Sequence, residues 1–297
     1  MAVPCSAYTG RFAPSPSGPL HFGSLIAAVG SYLQAKNQHG QWLVRMEDID
    51  TPRMMPGADS DILRTLEQFG LHWDGAVLYQ SQRLERYQQI VEQLKQQQLI
   101  YGCQCSRKQI SDGGGIYNGR CSTLNLSTEP LAWRIHSRAV NSQFTDLIFG
   151  PQQIPAALAQ EDYIIKRRDD LFAYQLVVAV DDIDQGITEV IRGADLLQMT
   201  PRQQALCRLL GAEPPRYGHL PLAVVKPGFK LSKQNHAAAI SQWPVTDVMA
   251  QVLAFLGHPL PPQLLRAGVN EQLSWASAHW QLAKVPQQQE INTTEFC

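Results

Sequence analysis

Between residues 7 and 46 the chain reads as strand, rigid turn, helix, strand, and no other feature constrains its fold as tightly. Residues 7–13 and 42–46 are short strand-like runs. The helix between them, residues 24–38, carries Leu25, Ile26, Val29, Tyr32 and Leu33 at helical spacing. Two strands separated by a helix predict parallel neighbours joined by a crossover rather than a hairpin. Residues 59–70 continue the pattern as a second helix, with Ile62, Leu63, Leu66 and Phe69 on one face and Gly70 as its stop. Residues 82–98 form a third, carrying Tyr87, Ile90, Val91 and Leu94. The expected class is α/β, built on a parallel sheet.

The rhythm breaks at Tyr101. Residues 103–125 are rich in turn formers, Gly113-Gly114-Gly115 among them, and residues 132–135 and 144–149 read as short strands. Residues 101–160 are therefore expected to be an insertion. It separates a first half of the α/β domain, residues 1–100, from a second half, residues 161–240. There the expected elements are a strand at 163–166, a helix at 173–180, a strand at 188–191, a helix at 201–210 and a strand at 220–225. Thr200 is the expected N-cap of the second of these helices, with Pro201 at its first position. Residues 241–297, with helical stretches at 245–256 and 262–280, are expected to form a small helical C-terminal domain.

Composition narrows the function. A net charge of −1 excludes a blanket polyanion binder. Residues 101–240 hold 15 Lys/Arg against 13 Asp/Glu, including Lys166-Arg167-Arg168, whereas residues 241–297 hold only Arg266 and Lys284 against four acids. Any nucleic-acid contact is expected mainly on the middle of the chain. No apolar run reaches the roughly 18 residues of a membrane helix. Met1-Ala2-Val3-Pro4-Cys5 lacks the charged and apolar parts of a secretory signal, so a cytoplasmic location with no membrane partner is expected. Cys103, Cys105 and Cys121 cluster, while Cys5, Cys207 and Cys297 lie far apart. That pattern suggests a local metal site in a reducing compartment, not a disulfide framework.

Two segments carry chemistry. The run Arg11-Phe12-Ala13-Pro14-Ser15-Pro16-Ser17-Gly18-Pro19-Leu20-His21-Phe22-Gly23-Ser24 delivers a histidine and a glycine to a helix start. Pro14, Pro16 and Pro19 fix its backbone, and Gly18 and Gly23 allow close approach to a ligand. Free N–H groups at the helix start suit an anion, and His21 adds a donor. Far downstream, Lys230-Leu231-Ser232-Lys233-Gln234 sets two cations around a hydroxyl. Activating a carboxylate with ATP needs such donors and cations, because negative charge grows at the α-phosphate during attack. No G-x-x-x-x-G-K-[ST] and no G-x-G-x-x-G occurs, which argues against P-loop and dinucleotide readings.

In this order and at this separation the two segments resemble the HIGH and KMSKS signatures of class I aminoacyl-tRNA synthetases, with Ser24 at the second histidine of HIGH. RFAPSPSG from Arg11, WLVRMEDID from Trp42, LFAYQLVVAVDD from Leu171 and VIRGADLLQMTPRQ from Val190 are similar to glutamyl-tRNA synthetases. The resemblance runs from Ala7 to His236 and implies a class I synthetase-like Rossmann catalytic domain. It implies that Arg11, Phe12, Ala13, Pro14 and Ser15, with Glu47, Tyr174 and Arg192, hold L-glutamate, Glu47 taking the ammonium. It further implies ATP, accompanied by Mg2+, at His21, Gly23, Lys230, Ser232 and Lys233, with His21, Lys230 and Lys233 catalytic. The residues agree on charge: two carboxylates and an ammonium want cations at Arg11 and Arg192 and an anion at Glu47. Asp181 and Asp182 are expected to orient basic groups or cap a helix end.

The chain then departs from full-length glutamyl enzymes. Only 63 residues follow Gln234, short for the long helical anticodon-binding region of that family and poor in cations. Arg192-Gly193-Ala194-Asp195-Leu196 also lacks the acidic–His pair common after its Arg-Gly. The shortened core resembles a truncated branch that activates glutamate without tRNA and joins it to queuosine in the anticodon stem-loop of tRNA(Asp). Charging a tRNA 3′ end, or a non-catalytic regulatory role, are the alternatives. Cys103-x-Cys105 followed by Tyr117 and Cys121 is similar to that branch's Cys-x-Cys…Tyr-x-x-x-Cys zinc site, a structural staple. By residue type alone, free thiols or a three-cysteine set completed by water or His136 remain open.

Overall fold

A computed structural model describes residues 7–126, 130–137, 140–230 and 240–293. Ser232, Lys233, Cys5, Cys297 and the side chain of Lys230 lie outside the described residues. The first part alternates as the pattern predicts: β1 (Thr9–Phe12), α1 (Phe22–Asn37), β2 (Gln41–Met46), α2 (Ala58–Gln68), β3 (Leu78–Tyr79) and α3 (Leu84–Gln96). β1 runs parallel to β2, with Thr9 opposite Gln41 and Phe12 opposite Val44, and β2 runs parallel to β3. Leu25, Ile26, Val29 and Leu33 of α1 are buried in one core with Trp42 and Val44 of β2.

An antiparallel unit then interrupts the sheet. It comprises β4 (Ile100–Cys103), α4 (Arg107–Asp112), β5 (Ala132–Ile135), β6 (Gln143–Asp146), β7 (Gly150–Gln153), α5 (Ala156–Ala159) and β8 (Ile164–Lys166). β5 lies between β4 and β8 and is antiparallel to both, while β6 and β7 form a hairpin. The strand expected to restart the parallel rhythm, β8, thus belongs to this sheet instead. A short apolar run such as Tyr163-Ile164-Ile165 shows that a strand is buried, not which neighbour it takes. Ile165 is fully buried with Tyr87, Leu94 and Leu176.

Alternation resumes one element later with α6 (Tyr174–Asp184), β9 (Glu189–Gly193), α7 (Thr200–Leu209) and β10 (Arg216–Leu220). β9 and β10 are parallel. At the foot of β9, the Thr188 N–H donates to the Thr9 carbonyl at the foot of β1, 2.9 Å away. The two parallel sets therefore lie side by side in the order β3–β2–β1–β9–β10. Gly30 lets α1 approach this sheet closely, since a Cβ there would stand 2.6 Å from Leu220 Cδ1. Thr200 does not cap α7. Met199 holds the N-cap position with no side-chain cap bond, and the Thr200 hydroxyl, already in the first turn, points inward to Arg192.

The strand expected over residues 220–225 is broken at Pro221, which has no N–H to continue the ladder. β11 (Leu222–Lys226) turns away and pairs antiparallel with β12 (Phe229–Lys230). The helical C-terminal part follows with α8 (Val245–Phe255) and α9 (Val269–His279), and the strand β13 (Glu290–Asn292) returns parallel to β11. Val248, Met249, Val252 and Leu253 of α8 and Leu273 of α9 share their core with α1 and β2. Trp280 Nε1 donates to Gln34 Oε1 of α1 at 2.8 Å, fixing this contact. Among the described residues no helix is long and apolar enough to cross a membrane.

Candidate active site and metal centre

In an open parallel sheet, ligands sit beyond the carboxyl ends of the strands where the order reverses, here between β1 and β9. The segments leaving β1 and β2 meet at that edge. The Glu47 N–H donates to the Pro14 carbonyl at 2.9 Å, and the Met55 N–H to the Pro16 carbonyl at 3.0 Å. Phe12 anchors the turn from below, stacked on Trp42 with ring centroids 6.3 Å apart. Pro14 is buried, Ala13 half-buried and Ser15 exposed. At the far end of the turn His21 is the N-cap of α1, its Nδ1 accepting the Ser24 N–H at 3.2 Å. That bond leaves the proton of a neutral imidazole on Nε2, as a donor. α1 therefore starts two residues before the spacing suggested, with Gly23 in its first turn.

A cavity of about 310 Å³ opens beside this turn, and Ser15, Glu47, Asp50, Arg53, Gln80 and Tyr174 contribute to its wall. Beneath it lies a buried charge network. Arg11 forks onto Asp182, Nε to Oδ1 at 3.2 Å and Nη2 to Oδ2 at 3.3 Å, and Arg45 Nη2 reaches the same carboxylate at 2.6 Å. Burial opposes ionisation of Asp182, but Arg11 and Arg45 hold its carboxyl below the ordinary range. Asp181 accepts from Gln80 Nε2 at 2.8 Å, from Arg83 Nε at 2.8 Å and from the Tyr87 hydroxyl. Both acids orient basic groups, as their position suggested, and the arginines offset the cost of carboxylates near the C-terminal end of α6. Burial pushes the Glu47 carboxyl up to about 7; Arg45 and Arg11 oppose the shift, while Asp182 and Asp181 add to it. An added cation here would be welcome.

The structure brings Ser15, Glu47 and Tyr174 together on the cavity wall, while Arg11 and Arg192 are buried and do not line it. Burial raises the Tyr174 hydroxyl pKa, and Arg192 and Arg11 are near enough to pull against it. Four of the five Arg192 N–H groups meet protein acceptors: Nε donates to His219 Nε2 at 3.1 Å, Nη1 to Gln203 Oε1 at 2.7 Å, and Nη2 to the Leu196 carbonyl and Thr200 Oγ1. Lining residues that the spacing did not single out are Asp50, Arg53 and Gln80. The first two follow Glu47 closely in the chain, which was the available signal. The cationic run at 166–168 is largely occupied by acids. Lys166 pairs with Asp170 at 2.6 Å and Arg167 with Asp169 and Asp50, while Arg168 is exposed. A larger open groove of about 820 Å³ lies at the other end of α1, against α9, and carries none of the expected site residues.

The antiparallel unit holds the second site. Cys103, Cys105 and Cys121 bring their sulfurs within 4.8 Å of one another. Tyr117 is buried among them, its hydroxyl accepting the Cys121 N–H at 2.9 Å. Arg134 covers the Tyr117 ring at 3.8 Å and donates from Nε to Cys103 Sγ at 3.3 Å. Burial opposes a Cys103 thiolate, but the Cys105 backbone and Arg134 hold its pKa below the usual thiol range. Burial and the neighbouring sulfurs push Cys105 up to about 12. Three crowded thiols are a poor apolar core and a good donor set for a soft or borderline metal ion.

Residues 8–256 match the family described as tRNA synthetases class I (E and Q), catalytic domain. A relative from Vibrio vulnificus (strain CMCP6), named glutamyl-Q tRNA(Asp) synthetase, is 55% identical over 285 residues, 96% of this chain and 93% of its own length. A protein of the same name from Pectobacterium atrosepticum is 52% identical over 289 residues, 97% of this chain and 90% of its own. Among solved structures, a glutamate tRNA ligase from Elizabethkingia meningosepticum, crystallised with its amino acid, superposes with a TM-score of 0.79 at 24% identity. That similarity covers 95% of this chain but 66% of the ligase, so the fold is shared and the ligase is longer.

Proposed function

The chain belongs to the catalytic-domain family of class I tRNA synthetases for glutamate and glutamine, and from that premise we propose that it is a glutamyl-queuosine tRNA(Asp) synthetase. It activates L-glutamate with ATP, without tRNA, and passes the glutamyl group to queuosine in the anticodon loop of tRNA(Asp). The observation that carries this reading is the Glu47 cavity, set over a bed of buried arginines, in a chain that its relatives match over nearly its whole length. Glu47 takes the substrate ammonium. Arg11, Arg192, Ser15 and Tyr174 set the carboxylates, with Phe12, Ala13 and Pro14 shaping the turn beneath them.

In the first step an oxygen of the glutamate α-carboxylate attacks the α-phosphorus of ATP, and the bond to pyrophosphate breaks. His21, through Nε2–H, and the first turn of α1 at Gly23 meet the charge that builds on the phosphate oxygens. Lys230, Ser232 and Lys233 are the proposed partners of the leaving phosphates, and Mg2+ accompanying ATP neutralises part of their charge. In the second step a queuosine hydroxyl attacks the activated carbonyl, AMP leaves, and an ester forms. Zinc, held by Cys103, Cys105 and Cys121 with Tyr117 as the fourth donor, braces the antiparallel unit and takes no part in either step. Reduced thiols at this site fit a cytoplasmic protein.

Glutamate-dependent ATP–pyrophosphate exchange tests the first step. It should proceed without tRNA and fall by about 10² or more in Lys233→Ala with the fold intact. Exchange that appears only when tRNA is added would reject the tRNA-independent reading.

A further inference from the structure

Arg192 has a second line of support that the glutamate-site residues do not explain. Behind it stands His219 of β10, fully buried, and behind that Asp146 at the end of β6. His219 Nδ1 donates to Asp146 Oδ2 at 2.6 Å, so its Nε2 presents a lone pair, and Arg192 Nε donates to that nitrogen at 3.1 Å. Asp146 is itself anchored. Its Oδ1 accepts the Ile148 and Phe149 N–H groups at 2.9 Å each and the His219 N–H at 3.2 Å. Beside it the Leu147 N–H donates to the Tyr217 carbonyl at 2.8 Å, docking the β6–β7 hairpin on the edge of β10. A segment of the inserted antiparallel unit thus reaches back to the parallel sheet and fixes a tautomer there.

We propose that Asp146 and His219 are positioning residues for the amino-acid site: the Asp146 carboxylate holds His219 as the Nδ1–H tautomer, and its Nε2 lone pair aims the Arg192 guanidinium at the substrate. This rests on the reading that Arg192 holds glutamate. Burial, reinforced by Arg192 and opposed by Asp146, brings the His219 pKa down to about 4, which keeps that lone pair available near neutral pH. A charged imidazole would set an N–H against an N–H. Gln203 Oε1, Thr200 Oγ1 and the Leu196 carbonyl take three of the four Nη hydrogens, and His219 is the partner of Nε that sets the rotation of the fork about its stem.

The test is steady-state exchange kinetics on the full-length protein, with KM for glutamate, KM for ATP, kcat and melting temperature measured for each variant. Asp146→Asn keeps the shape of the carboxylate, but its NH2 faces Nδ1 and drives the imidazole proton to Nε2, opposite Arg192. Glutamate KM should rise about tenfold or more, with ATP KM and kcat within about twofold. His219→Asn, whose amide can meet Asp146 but not Arg192, should do the same. His219→Gln sets an amide oxygen near Nε2 and should recover most of the loss. Arg192→Lys should raise glutamate KM, and adding Asp146→Asn to it should raise it no further. Wild-type glutamate KM in Asp146→Asn and His219→Asn, beside a raised value in Arg192→Lys, would overturn the relay alone. A general loss of kcat, both KM values and melting temperature would mark the pair as structural and also overturn it. Unchanged glutamate KM in Arg192→Lys would remove the reading of Arg192, and this proposal with it.

Discussion

Glu47 is the residue whose chemistry the environment changes most usefully. Burial pushes its carboxyl up to about 7. The ionised form binds an ammonium, and that form is lost as the pH falls through 7. Glutamate KM should therefore rise as pH drops from 8 to 6, approaching tenfold per unit on the acid side. In Glu47→Gln the KM should be high and flat across that range. A wild-type profile without inflection would contradict the ammonium role. The resemblance to glutamyl-tRNA synthetases pointed to Arg11, Glu47 and Tyr174, and the charge count added support for Arg11 and Glu47; Glu47 and Tyr174 do meet at one cavity, with Arg11 buried beside it. Asp182 was legible as an organiser of basic groups, but not as the carboxylate that Arg11 and Arg45 share, since nothing in local spacing shows which partner a buried acid meets 171 residues away.

Among the elements, the cysteine-bearing unit has the least to fold around. Its own cluster is small, with Tyr101, Cys103, Tyr117 and Cys121 as the buried members. A bound metal ion is accordingly expected to supply much of its local stability. Purified protein should hold about one zinc per chain, and Cys105→Ser should lose most of it while α6 to β10 keep their fold. Elemental analysis, with hydrogen exchange over residues 100–126, reads both; full zinc retention in Cys105→Ser would refute this ligand set. Elements were legible wherever period and punctuation agree, as in α1 to α3. They were illegible where pairing depends on distant chain. β8 reads as any buried strand until β5 is placed beside it, and β10 was hidden because Arg216-Tyr217-Gly218-His219-Leu220 has no apolar alternation. Thr200 has the chemistry of an N-cap, yet a buried guanidinium competes for its hydroxyl and wins.

At the scale of the whole molecule, the parallel sheet gathers Ser15, Glu47, Tyr174 and Arg192 at its carboxyl edge although the chain separates them by up to 177 positions. The insertion and the C-terminal helices each hold elements that form that edge. The first does so through Asp146 and the second through the core they share with α1. On the proposed reading the anticodon loop itself comes to the cavity, whose wall includes Arg53 and Arg167. The most direct measurement is transfer of labelled glutamate, in the presence of ATP, to three purified acceptors: tRNA(Asp) with queuosine at the wobble position, the same tRNA with guanine there, and tRNA(Glu). The account predicts label on the queuosine-bearing tRNA(Asp) alone, and on its isolated anticodon stem-loop as well. Label on the 3′-terminal adenosine of tRNA(Glu), or equal label on tRNA(Asp) lacking queuosine, would contradict it.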